Sequence, residues 1–262
     1  LCDRRQRQMC IRDRYIIGED WSVEMKTLII IPAYNEEENI ERVVNMLVTS
    51  YPQYDYVVVN DCSKDNTKFI CEKNNYNFID LPVNLGLAGA VQAGYKYAYH
   101  HNYDIAIQYD GDGQHRPEYI EDLVHGIESG ADIVIGSRFV NSKKPWNARM
   151  IGSRIITFVT KLTTGVEVKD PTSGMRAISN KLIKEFAFNM NYPPEPDTIA
   201  YQLKKGAVIK EVHVEMDERI AGESYLNITN SIKYMSRMLI SILFIQNFSC
   251  LLYTSPSPRD YA

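Results

Sequence analysis

The sequence predicts an α/β protein built on a mainly parallel sheet with helices on both faces. Short apolar runs alternate with amphipathic, helix-spaced stretches through most of the chain. The runs are apolar on both faces, as strands covered from two sides are. Asp- and Gly-rich motifs follow them directly, where an open parallel sheet collects its ligands.

Lys26–Ala33 (KTLIIIPA) reads as the first buried strand and Tyr54–Asn60 (YDYVVVN) as the second. Asn75–Leu81, Asp104–Tyr109 and Ala131–Ile135 follow as further strands. Helices are expected over Glu36–Ser50, Asn66–Asn74, Gly89–His101 and Pro117–Ser129. Pro117 suits a first helical turn, where the missing N–H costs nothing. Beyond Gly136 the alternation loosens. Met150–Thr164, Glu195–Lys205 and Asn227–Gln246 read as helices, Gly174–Ser179 and Ala207–Glu215 as strands. With no repeat and no linker, residues 26–246 form one expected domain whose C-terminal region builds the acceptor side. Residues 1–14 lack any apolar period, residues 249–262 end in Ser/Pro punctuation, and both are expected to be foreign or disordered flanks. Met235–Leu252 is apolar but broken by Arg237, Gln246 and Asn247, so it reads as a core helix, an interfacial helix or a truncated membrane segment.

Composition narrows the function. The chain has 262 residues, a formal charge of −4 and 24% charged residues, which gives nucleic acid no electrostatic footprint. From Arg138 to Lys184 the balance is basic, with only Glu167 and Asp170 as acids, and that stretch suits a diphosphate or an anionic membrane surface. The five cysteines form no CxxC pair, so neither a zinc site nor a disulfide framework is expected, and a reducing compartment is the default. No signal peptide is visible at the arginine-rich N-terminus.

The strongest chemical signal is Asp110-Gly111-Asp112-Gly113-Gln114-His115, directly after a strand. Carboxylates two residues apart on an extended chain point the same way and can share one hard cation. The glycines would let a diphosphate approach the backbone, and the cation would stabilise charge on the leaving group. A second motif, Val59-Asn60-Asp61-Cys62-Ser63-Lys64-Asp65-Asn66-Thr67, also ends a strand. Asp61 could accept from the N–H groups of a base, and Asp65 or Asn66 would cap the next helix. Calcium-loop offsets recur here, but Asn66 occupies the position that needs glycine and a strand precedes the loop, which excludes an EF-hand. In Pro32-Ala33-Tyr34-Asn35-Glu36-Glu37-Glu38, Tyr34 could stack on a base or ribose. Asn84-Leu85-Gly86-Leu87-Ala88-Gly89 does not fit GxGxxG and reads as helix entry beside the nucleotide.

Together the blocks IPAYNEEE, VVVNDCSKDNT, NLGLAGAVQAG and YDGDGQH resemble the inverting family 2 glycosyltransferases of the GT-A fold, especially the dolichyl-phosphate mannosyltransferase type. GSRF, DPTSGMR and ERIAGES continue the match in the same order. The resemblance implies a UDP- or GDP-sugar donor, Mg²⁺ or Mn²⁺, and a polyprenyl phosphate or glycan acceptor. It implies that Pro32, Tyr34, Glu36, Val59 and Asp61 hold the nucleoside. Asp110, Gly111, Asp112 and Gln114 would hold the metal and diphosphate, and Arg138 and Arg219 would contact phosphates. Two departures stand out: Asn60 replaces an acid, and Tyr225 replaces a lysine frequent in the polyprenyl-phosphate subgroup.

A hydroxyl acceptor would need a base, for which Glu195, Asp197 and Asp170 are the candidates, whereas a phosphate acceptor is already anionic. His115, beside the metal motif, is the one histidine singled out. The expected setting is the cytoplasmic face of a membrane, with a homo-oligomer left open. The rivals are a silent nucleotide-sugar-binding protein, which a transfer assay would separate, and a sugar-phosphate nucleotidyltransferase. The latter would place a Gly-rich, Arg-containing loop where this chain has PAYNEEE.

Overall fold

The computed structural model describes residues 25–142, 144, 148–189, 195–217 and 235–245. Its strands are β1 (Thr27–Ala33), β2 (Asp55–Asn60), β3 (Phe78–Asp80), β4 (Ile105–Gln108), β5 (Ile133–Ser137), β6 (Arg176–Ser179) and β7 (Ile209–His213). The helices are α1 (Ile40–Ser50), α2 (Thr67–Lys73), α3 (Gly86–His100), α4 (Ile120–Glu128), α5 (Ala148–Thr164), α6 (Asn180–Phe188) and α7 (Pro196–Lys204). The two expected flanks, the ERIAGES block, Tyr225, and most of the expected Asn227–Gln246 helix lie outside the described residues.

The strands form one sheet in the order β3-β2-β1-β4-β6-β5-β7. All pairs are parallel except those made by β6, which runs antiparallel to β4 and β5. This reversal places the site. The carboxyl ends of the six other strands share one edge, and β6 delivers its amino end, with the preceding Asp170–Gly174 loop, to that same edge. Arg176 pairs in register with both Gln108 and Ile135.

Alternation along β1 explains the layers. Ile29 and Ile31 face a core completed by α1, α2 and α4, whereas Leu28 and Ile30 face a core completed by α3 and α6. A third cluster joins Ile156 and Val159 of α5 to Ala200 of α7 and to Met238 and Ile242. Residues 235–240 are helical, and Ser241–Ile245 forms a π-turn. Among the described residues no helix is long and apolar enough to cross a membrane.

Several elements differ from the sequence reading: α1 begins at Ile40 rather than Glu36, and β3 at Phe78 rather than Asn75. Helix α3 begins at Gly86, whose φ of +73° makes the entry turn, rather than at Gly89. Helix α6 was not anticipated, because it follows β6 with no turn residue between them. Its Leu182, Ile183 and Phe186 are buried, Phe186 edge-on to Tyr95 at 5.5 Å between centroids. Pro117 lies in the first turn before α4 as expected, in a short 3₁₀ segment.

Candidate active site

The loops after β1 and β2 are bolted together at the shared edge. Asn35 donates its amide to Ser63 Oγ at 3.0 Å, and Lys64 donates back to Asn35 Oδ1 at 2.8 Å. Glu36 N donates to Thr67 Oγ1, Glu37 N donates to Asp65 Oδ2, and Glu37 Oε2 accepts from Asn66 N and Nδ2. Asp65 Oδ1 accepts the Thr67 amide at 3.0 Å, so Asp65 rather than Asn66 caps α2 by its side chain. Positive φ at Asn35 and Cys62, both +56°, makes these turns tight.

Asp61 is almost fully buried and its Oδ1 accepts the Leu85 amide at 2.7 Å, while Asn84 donates to the Asp61 carbonyl. The NLGLAG block thus closes over Asp61, as helix entry beside the site requires. Val59 is fully buried in the core facing α3, so a nucleoside could meet only its backbone, not its side chain. Tyr34 is half-buried at the edge beside this loop cluster. The departure at Asn60 has a local cause. Asn60 Nδ2 donates to Asp80 Oδ1 at 2.7 Å across the β2–β3 register, where an acid would meet a second carboxylate.

The Asp110–His115 loop leaves β4 against the β1 loop. Here the glycines make room for protein, not only for ligand. A Cβ on Gly111 would lie 3.0 Å from the Pro32 carbonyl oxygen, and one on Gly113 (φ +73°) would strike Arg42 Nη2 at 2.0 Å. Asp110 keeps its side chain about one-third exposed, whereas Asp112 is buried and accepts the Gln114 amide at 3.1 Å. Gln108 Nε2 approaches Asp110 Oδ1 at 3.4 Å. A Cβ on Gly174 would sit 2.5 Å from Asp110 Oδ2, so the loop before β6 presses against this carboxylate.

These donors fit a divalent hard cation: two carboxylates and an amide on one short loop, with oxygen chemistry throughout. Among the described residues no cluster of three or more His, Cys, Asp or Glu side chains is arranged to hold a metal alone. A cation there would complete its shell with diphosphate oxygens and water.

Arg138 and Asp170 meet behind that loop. Arg138 Nε and Nη2 donate to Asp170 at 2.7 and 2.9 Å, the Arg138 amide adds a third bond, and Thr172 Oγ1 a fourth. Asp170 is fully buried and saturated, so it does not fit the role of a base. Arg176, buried, donates to the carbonyls of Ser173 and Pro171 and holds the loop from inside, a role the sequence reading missed.

The other two candidate bases are also occupied. Glu195 accepts twice from Arg237 Nη2 at 2.7 and 2.9 Å, and Asp197 Oδ2 accepts from Ser241 Oγ at 2.6 Å. Burial raises the Glu195 carboxyl above its ordinary range despite the arginine. Both residues pin residues 235–245 onto the start of α7. Arg219 lies outside the described residues. The segment leading to it is fixed: His115 and Met216 form an antiparallel bridge, and Arg116 reaches Glu215 and Asp217, both at 2.7 Å.

A doubly covered sheet with a DxD loop at its carboxyl edge is the architecture of a GT-A glycosyltransferase. The sequence model of Glycosyl transferase family 2 matches residues 28–186. The chain belongs to that family and is a glycosyltransferase. It is 28% identical to a polyprenol monophosphomannose synthase of Mycolicibacterium smegmatis, covering 78% of this chain and 82% of the relative. It is 30% identical to an undecaprenyl-phosphate mannosyltransferase of Micrococcus luteus, covering 78% and 88%. In fold it resembles the crystal structure of glucosyl-3-phosphoglycerate synthase from Mycobacterium tuberculosis with Mn²⁺ and UDP-glucose, at a TM-score of 0.63 and 16% identity, covering 86% and 79% of the chains.

Proposed function

We propose that this protein transfers a sugar, with inversion, from a UDP- or GDP-sugar to a polyprenyl phosphate at the cytoplasmic face of a membrane. The observation that carries the reading is the meeting at one sheet edge of the Asp110–Gln114 loop, the bolted β1 and β2 loops, and the Arg138–Asp170 pair. In this reading Asp110, Asp112 and Gln114 hold Mg²⁺ or Mn²⁺. The ion, when bound, neutralises charge on the departing diphosphate. Tyr34, Asp61 and the backbone of Pro32 and Val59 bound the nucleoside, with Glu36 beside them. Arg138, aligned by Asp170, and Arg219 face phosphate groups as guanidinium forks do.

The engagement of Glu195, Asp197 and Asp170 favours a phosphate over a hydroxyl acceptor, since an anionic acceptor attacks without a base. The names of the two relatives point the same way. A lipid acceptor requires the site to reach a bilayer. Helix α5 exposes Ile151, Ile155, Phe158 and Leu162 along one face, Phe158 and Leu162 by 65% and 69%. Arg154 and Lys161 lie on the same helix. That stripe is the surface we assign to lipid.

The test is transfer of labelled sugar from UDP- and GDP-sugars to undecaprenyl phosphate and, separately, to the matching free alcohol, with Mn²⁺ or Mg²⁺. Lipid-phosphate product that vanishes with a chelator is expected. Donor binding without transfer to either acceptor would leave a silent binding protein. Phe158→Glu with Leu162→Glu is expected to lower vesicle binding while the stability of the fold stays unchanged.

A further inference from the structure

We propose that Glu211 is a positioning residue that aims Arg138, a role that rests on the reading of Arg138 as a phosphate contact. Strand alternation brings Glu211 into place. Ile209, two residues earlier on β7, packs against the core that contains Val168. Glu211 lies on the same face, where the chain passes from Val168 into Asp170. Its carboxylate accepts two consecutive backbone amides: Lys169 N donates to Oε2 and Asp170 N to Oε1, both at 2.8 Å. Hydrogen bonds to an ionised acceptor are the stronger kind. Lys169 Nζ adds a tie to the Val140 carbonyl at 3.0 Å.

The consequence is directional. Two neighbouring amides held by one carboxylate fix the peptide plane between Lys169 and Asp170. From there the Asp170 side chain reaches the end of β5 and takes Nε and Nη2 of Arg138. The guanidinium is a planar fork, so an acid on its Nε–Nη2 edge orients the whole group. Nη1 makes no hydrogen bond among the described residues, and the Arg138 side chain keeps 30% of its surface exposed. The open donors therefore lie away from Asp170, at the carboxyl edge of the sheet. Asp170 holds the arginine, and Glu211 holds Asp170 from a different strand.

A double-mutant cycle tests the relay. Glu211→Gln keeps the shape but turns one acceptor into a donor that faces an amide N–H. Arg138→Gln removes the fork yet can still donate once to Asp170. Dissociation constants are measured for UDP and for GDP, each with Mn²⁺, and the KM for undecaprenyl phosphate. Wild type, both single variants and the double variant are compared, alongside kcat and thermal unfolding. Glu211→Gln is expected to weaken by about tenfold the same ligands that Arg138→Gln weakens, and to leave any others within about twofold. In the double variant it should add less than about twofold. A residue that only stiffens the loop would lower the melting temperature without following Arg138 in this way. Wild-type affinities in Glu211→Gln, a loss on ligands that Arg138→Gln spares, or full additivity in the double variant overturns the proposal. If Glu211→Gln does not fold, Glu211→Asp decides, because it keeps the charge but falls one methylene short; wild-type affinities there overturn the proposal. A wild type that binds neither nucleotide, or an Arg138→Gln variant that weakens no ligand, overturns the phosphate reading itself, and with it this role.

Discussion

The two halves of the sheet edge are built by opposite means. On the β1–β2–β3 side every strand is parallel, and the candidates Tyr34, Glu36 and Asp61 sit in loops directly after their strands. Those loops are tied by hydrogen bonds between residues about thirty positions apart, such as Asn35 with Ser63 and Glu37 with Asn66. On the β6–β5–β7 side the reversal of β6 returns a loop to the edge, and the pairs join distant segments. Arg116 meets Asp217 across 101 positions, and Glu195 meets Arg237 across 42. The first half is a set of local motifs placed side by side. The second exists only once the sheet has closed, so its residues carry little meaning apart from their partners.

This contrast can be broken experimentally, beginning with the largest effect. Asp112→Asn, on the loop proposed to hold the cation, is expected to lower turnover by about 10²-fold or more while the fold survives, since it removes charge from the proposed ligand set. Near-normal turnover in the absence of divalent ions would refute the assignment. Arg138→Ala should act on the fold as well as on activity, because it leaves Asp170 buried without its guanidinium. A loss on the order of 3 kcal/mol is expected in urea unfolding. A loss below about 0.5 kcal/mol, the scale of an ordinary surface change, would mean that the pair does not hold the returning loop.

Asp132 gives the pH dependence. Burial pushes its carboxyl up, but the Val208 amide and Lys181 outweigh burial and hold it below the ordinary aspartate range. A depressed native pKa stabilises the fold above the unfolded value near 4, and that contribution is lost as acid titrates the native carboxylate. Asp132→Asn should therefore cost about 1–2 kcal/mol at neutral pH, with the gap to wild type closing in acid. A gap that is constant with pH would show that charge plays no part. The smallest effect sharpens the parallel half. Asn60→Asp restores the acid usual in the family but sets it against Asp80, which Lys68 holds below its ordinary range. A loss of about 1 kcal/mol or less is expected above the carboxylate range, relieved on acidification. Increased stability at neutral pH would mean that Lys68 accommodates both acids.

What the amino-acid order determined by itself follows from periodicity and adjacency. Runs apolar on both faces, such as Leu28–Ile31 and Val57–Val59, specify covered strands, and a polar motif one residue past a strand lies at its tip wherever that strand sits. The parallel sheet, the DxD loop and the nucleotide-side loops were legible for that reason. Tertiary structure alone decided the antiparallel insertion of β6, the presence of α6, and which acids were engaged. Asp170, Glu195 and Asp197 look alike in sequence as candidate bases. Their partners Arg138, Arg237 and Ser241 lie 32 to 44 positions away. Val59 shows the same limit in reverse: its place in the motif suggested a ligand contact, and strand alternation, which turned its side chain into the core, left only its backbone for one. No local pattern records which distant group reaches a carboxylate, because that contact forms only when the chain is packed.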